Sequence, residues 1–234
     1  MKKVFALTNP GPCLDVNEDT YLINENLNLY GVMDGLGGHG IGDKIVRDFK
    51  IILELRYGKF TDDPDMTLPF YYQNQYSPEV NALMNVLLYS HQQQQMHNAK
   101  VSLHEKGGAT FALALRQGDT LSLFLSGTCQ ALVFNNGKLI SKSSGPMLMN
   151  GANKKTMCLP LSGIGLPGDL DVFISEHSMK SGDDIFLLTD GIWPYIEMSD
   201  YLHTLKNPDH FHSLLEKANK NGNWDNQTIQ LLKF

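Results

Sequence analysis

The 234-residue sequence predicts an α+β fold in which packed antiparallel sheets are flanked by helices. Two apolar runs near the start are joined by a short polar step, as in a hairpin. A dense series of strand-like runs with turn signals begins at residue 108. Helical spacing marks two long stretches before that series and one shorter stretch near the end.

The elements follow in order. Residues 20–34 read as two strands joined by Asn24-Glu25-Asn26. Residues 41–57 carry Ile45, Val46, Phe49, Ile52 and Leu53 at helical spacing. Residues 58–78 hold Pro steps and three Tyr (Tyr71, Tyr72, Tyr76) and read as an irregular excursion, with the tyrosines a candidate aromatic patch or local packing. Residues 79–105 read as a second long helix with Val80, Leu83, Val86, Leu87 and His91 on one face, and Gln92–Gln95 as a solvated stretch. Strands are expected at 109–115, 120–125, 131–134 and 138–140, the last pair joined by an Asn135-Asn136-Gly137 turn. Residues 143–170, rich in Gly, Pro and Ser, read as a loop or flap. Further strands are expected at 171–174 and 185–188, a helix at 208–219 and a closing strand at 227–232.

Composition narrows the function. At 42% hydrophobic and 19% charged residues, the chain suits one globular domain over 1–234. Its net charge is −6 and it has only three Arg (Arg47, Arg56, Arg116), which disfavours nucleic-acid binding. An acidic protein can still bind a phosphate if metals supply positive charge. Cys13, Cys129 and Cys158 fit no CxxC pattern and read as reduced thiols of a cytoplasmic protein. The apolar stretch Val4–Leu7 is too short for a signal peptide, and no run approaches a membrane span.

Chemistry points to the acids at strand edges. Asn17-Glu18-Asp19, Asp34, Asp190 and Asp225 each sit where a predicted strand meets a loop. Carboxylates so placed can converge on one rim of a sheet core and hold hard cations. Two such metals can activate water and clamp a phosphoryl group. Asp34 precedes a glycine-rich turn that leaves the Gly35 carbonyl available as a second oxygen ligand; the same turn suits an N-cap role. Adjacent Glu18 and Asp19 leave a strand on opposite faces, so only one points directly at a metal. Asp190 closes an apolar run just before Gly191, and Asp225 also suits an Asx turn.

Together these motifs resemble the metal-dependent type 2C (PPM) protein serine/threonine phosphatases, in their bacterial form. That family reads N-[EQ]-D, V-x-D-G-M-G-G-H, G-[AST]-T, S-D-G and D-N-x-T in order. This chain has Asn17-Glu18-Asp19, Val32-Met33-Asp34-Gly35-Leu36-Gly37-Gly38-His39, Gly108-Ala109-Thr110, Thr189-Asp190-Gly191 and Asp225-Asn226-Gln227-Thr228. The resemblance implies a four-layer α–β–β–α sandwich with a two-metal centre between the sheets. Asp34, Asp190 and Asp225 would hold one Mn²⁺ or Mg²⁺. Asp34 and the Gly35 carbonyl would hold the other, with Glu18 or Asp19 joining through water. It further implies hydrolysis of phosphoserine or phosphothreonine on a phosphorylated protein substrate, opposing a cognate serine/threonine kinase.

The chain departs from the family pattern at four places. Leu14 stands where the family has a phosphate-gripping Arg. Thr128 and Pro194 stand where it has acids of a third metal site, so that site is expected to be absent. Leu36 stands where the eukaryotic branch has a His, leaving His39 as the candidate general acid or a structural residue. Lys154 and Lys155 in the flap suit either a phosphate contact or a solvated basic pair. Two readings follow: an active phosphatase, or a pseudophosphatase that binds a phosphoprotein or a regulatory partner.

Overall fold

Strands form where apolar residues alternate between two buried faces, and the computed structural model describes residues 3–37, 40–63, 65–150, 157–207 and 210–234. In chain order come β1 (Lys3–Asn9), β2 (Asp19–Asn24), β3 (Leu29–Leu36), α1 (Ile41–Ile52), α2 (Gly58–Asp62) and α3 (Pro78–Asn98). Then follow β4 (Gly108–Gln117), β5 (Thr120–Ser126), β6 (Gln130–Asn135), β7 (Lys138–Ser144), β8 (Met147–Asn150) and β9 (Met157–Pro160). The chain ends with β10 (Phe173–Ser178), β11 (Asp183–Leu188), α4 (Met198–Lys206), α5 (Phe211–Lys220) and β12 (Gln227–Lys233).

Two five-stranded antiparallel sheets result, ordered β1-β12-β11-β6-β7 and β10-β5-β4-β3-β2. Alternation along the strands explains how they pack. Val32, Ala112, Leu123, Val133, Ile185 and Leu232 meet between the sheets. Their neighbours face outward. Met33, Phe111 and Phe124 pack with Val46 and Phe49 of α1 and Leu83 and Leu87 of α3. Phe134, Phe186 and Leu231 pack with Tyr201 of α4 and Phe211 and Leu214 of α5. Polar loops at the strand ends are left to form the site.

Several elements differ from the sequence reading. A π-helical turn (Leu53–Tyr57) carries the first helix on into α2, so the irregular excursion begins only after Asp62. That excursion is pinned by two buried asparagines of α3. Asn85 Oδ1 accepts from the Phe70 and Tyr71 amides, and Asn81 Oδ1 accepts from the Gln73 amide. Tyr71 and Tyr76 pack against the core, which leaves only Tyr72 well exposed. The second long helix ends at Asn98, whose side-chain amide donates to the Gly107 and Gly165 carbonyls. Gln95 is not simply solvated: it donates to the Leu166 and Gly168 carbonyls. Within 143–170, β8 and β9 form a hairpin. β1 and α4 went unread in the sequence, and the strand expected at 171–174 is shifted to Phe173–Ser178. No helix among the described residues is long and apolar enough to cross a membrane.

Candidate metal centre

Register brings the first acids together. β2 and β3 pair with Asp19 opposite Asp34, and β3 and β4 pair with Asp34 opposite Thr110. The Gly35 amide donates to the Glu18 carbonyl at 3.0 Å. A Cβ at Gly35 would press on that carbonyl and on the backbone of Gly42, so glycine permits this close approach. On the other sheet, the Thr189 amide donates to the Thr228 carbonyl where β11 ends, and Asp190 follows at once. A Cβ at Gly191 would collide with the Asn226 carbonyl, so glycine also lets the Asp190 and Asp225 segments lie against each other.

Glu18, Asp34, Gly35, Asp190 and Asp225 line one cavity of about 560 Å³. Asn226 fastens its rim. Its side-chain amide donates to the Pro10 and Val16 carbonyls, and its Oδ1 accepts from the Glu18 amide at 2.8 Å. Asp19 lies outside that lining. It is buried, and its Oδ2 accepts from the Thr189 hydroxyl at 2.7 Å, tying β2 to the end of β11. Glu18 is therefore the member of the pair that faces the cavity. Its Oε1 accepts from the Gly40 amide at 2.7 Å. His39, Lys154 and Lys155 lie outside the described residues.

The departures also have definite places. Leu14 lines the cavity rim. Thr128 is buried and donates to Asp34 Oδ2 at 3.0 Å, beside Thr110, which donates to the same oxygen at 3.2 Å. Pro194 lies in a short 3₁₀ turn (Trp193–Tyr195). From that turn the Trp193 indole donates to the Thr128 carbonyl at 2.9 Å. Contributors missed in sequence include Cys158 from β9 and Trp224 beside Asp225, which both line the cavity. Their only sequence signals were a Cys in the flap segment and an aromatic next to an acid.

Electrostatically the acids are in conflict. Burial and then the Asp225 charge push the Asp34 carboxyl up to about 7, against the two threonine donors. Burial, with Asp34 and Asp225 nearby, raises Asp190 well above the carboxylate range. Asp225 is raised by burial and by Glu18, against the Asn226 amide. Asp19 is raised well above that range by burial and Asp34, against Thr189 and Thr228. Only protons or cations can relieve such a set. The donors are all hard oxygens, which suits Mn²⁺ or Mg²⁺. The acids line the wall without closing into a cage: among the described residues, no three His, Cys, Asp or Glu form a group that could hold an ion as they stand.

Solved structures resemble this chain throughout its length. PppA, a key regulatory component of T6SS in Pseudomonas aeruginosa, matches with a TM-score of 0.76 at 21% identity, over 99% of this chain and 97% of that one. A serine/threonine phosphatase of S. agalactiae matches at 0.76 and 18% identity, over 98% of each chain. The catalytic domain of the serine/threonine phosphatase PstP, in complex with two manganese ions, matches at 0.69 and 18% identity, over 98% of this chain and 96% of that one. The chain has the fold of the bacterial PPM serine/threonine phosphatases. No family model and no curated protein matches the sequence. Within this phosphatase fold, the acid-lined cavity lies where strand ends of the two sheets meet.

Proposed function

We propose that this chain, acting over 1–234 as one domain with a four-layer α–β–β–α sandwich, is a metal-dependent protein phosphatase. Its substrate would be phosphoserine or phosphothreonine on a protein, and its role would be to oppose a serine/threonine kinase. One observation carries the reading: Glu18, Asp34, Asp190 and Asp225 line a single cavity in a chain with this fold. Three free thiols support action in a reducing, cytoplasmic compartment.

Asp34, Asp190 and Asp225 would hold one Mn²⁺ or Mg²⁺. Asp34 with the Gly35 carbonyl would hold a second, and Glu18 would act through water. When bound, two such ions would supply polarisation of a water and neutralisation of charge on the phosphoryl oxygens. The chain itself orients Asp34 through Thr110 and Thr128 and fixes Glu18 on the Gly40 amide. Thr128 and Pro194 offer no carboxylate for a third ion, so two ions are proposed.

Leu14 favours a second reading, a pseudophosphatase that binds a phosphoprotein or a regulatory partner. No Lys or Arg among the described residues lines the cavity to grip a phosphate. Hydrolysis of a phosphothreonine peptide with added Mn²⁺, comparing wild type with Asp190→Ala, separates the two. Metal-dependent turnover that disappears in the variant supports the enzyme. Absence of turnover from folded wild-type protein leaves the binding module.

A further inference from the structure

The acid cavity opens through an apolar rim. Leu14, Val16, Leu159 and Trp224 line it and are 38%, 42%, 47% and 42% exposed. They come from three distant parts of the chain: the segment before β2, strand β9 and the turn before β12. None of the four belongs to an apolar core cluster. Single exposed apolar side chains are ordinary on protein surfaces, but several around one polar cavity form a patch. The charged side chains among the described lining residues are all acidic: Asp15, Glu18, Asp34, Asp190 and Asp225.

We propose that the site takes a phosphorylated segment in which a bulky apolar residue directly flanks the phosphoserine or phosphothreonine. This rests on the phosphatase reading, which sends the phosphoryl group down toward the acids. The residues on either side of it must then cross the rim. An apolar neighbour removes Leu14, Val16, Leu159 and Trp224 from water together with itself. An acidic neighbour meets Asp15 and Glu18 instead. The patch is continuous with the acid-lined cavity, so its occupant is the chain that carries the phosphate.

The test uses phosphothreonine peptides flanked by Leu or Phe, Ala, Glu or Lys, on the full chain with Mn²⁺. Turnover is followed by phosphate release. Affinity is followed separately by fluorescence anisotropy of the matching phosphonate peptides, which cannot be hydrolysed. Leu- and Phe-flanked peptides are expected to bind about ten-fold tighter than Ala-flanked ones, with Glu-flanked ones weakest. Trp224→Ala, checked for folding by circular dichroism, is expected to cut that advantage to about three-fold or less. Equal affinity across the flanks overturns the proposal, as does tightest binding of Lys-flanked peptides, which would make Asp15 the selecting group. Turnover without apolar preference removes this inference and leaves the phosphatase reading standing. Apolar preference in binding without turnover does the reverse, and loss of both binding and turnover removes both.

Discussion

The Thr128 hydroxyl donates to the Asp34 carboxylate across 3.0 Å, while the Thr128 carbonyl accepts from Trp193. Thr128 stands between β5 and β6, at the junction of the two sheets, and Asp34 is on β3, two strands from β5 in the same sheet. The residue that departs from the family pattern thus orients the acid proposed to serve both ions. Side chains that hold metal ligands in place commonly contribute about 10–100-fold in metal affinity. Thr128→Val is expected to weaken Mn²⁺ binding by about ten-fold or more, measured by calorimetric titration. Thr128→Ser, which keeps the hydroxyl, is expected to restore most of it. Equal affinity in wild type and Thr128→Val would show that the bond does not position the ligand.

Adjacent Glu18 and Asp19 should separate by phenotype. Asp19 is buried and bonded to Thr189 at the end of the other sheet, so its loss leaves a buried hydroxyl without that acceptor. Asp19→Ala is expected to lower stability by about 1–3 kcal/mol. Glu18→Ala, facing the cavity, is expected to weaken Mn²⁺ binding with a smaller effect on folding. Urea denaturation and metal titration of both variants check this. A stability loss confined to Glu18→Ala would reverse the assignment.

Much of this cavity's acidic lining was legible in the sequence because the acids sit where strands meet turns. Asp34 precedes Gly35 and Asp190 precedes Gly191, and each follows an apolar run. What stayed hidden depends on contacts across long sequence separations. That Glu18 and not Asp19 faces the cavity depends on Thr189, 170 positions away, which holds Asp19. Thr128 as a donor needs the register of β3 against β4, which brings Thr110 and Asp34 together. β1 went unread because its half-buried residues find their pattern only by pairing with β12. The β8–β9 hairpin was hidden within a stretch rich in Gly, Pro and Ser, where turn signals outweigh two four-residue strands.

Metal-free protein should lose stability as pH rises. The Asp34 carboxyl is pushed up to about 7, whereas an unfolded Asp titrates near about 4. Between those values the folded state binds more protons than the unfolded state, so stability falls through that window. Below it both states are protonated, so stability is fully retained and the group adds no pH dependence. Asp190 and Asp225 are raised in the same direction. Mn²⁺ competes with these protons, so its stabilising shift in Tm is expected to be larger at about pH 7.5 than at about pH 5.5. Asp34→Asn should flatten the metal-free profile. Thermal melts with and without chelator decide it, and a Mn²⁺ shift that grows toward acid pH would refute the proton competition.

Leu14 offers a gain-of-function test. It sits on the cavity rim, 38% exposed, and contributes an apolar surface where no described cation grips a phosphate. A guanidinium there would add a bidentate, charge-assisted contact to phosphate oxygens. Because the site is open at Leu14, the longer side chain can be accommodated from solvent without displacing the core. Leu14→Arg is therefore expected to lower KM for an alanine-flanked phosphothreonine peptide by about ten-fold, since a charge-assisted hydrogen bond contributes about 1.5–3 kcal/mol. The same change should erode the advantage of Leu- and Phe-flanked peptides, because it removes part of the apolar rim. A parallel fall in KM for every peptide, with the flank preference intact, would mean that Leu14 takes no part in selecting the neighbouring residue and that Val16, Leu159 and Trp224 do so without it.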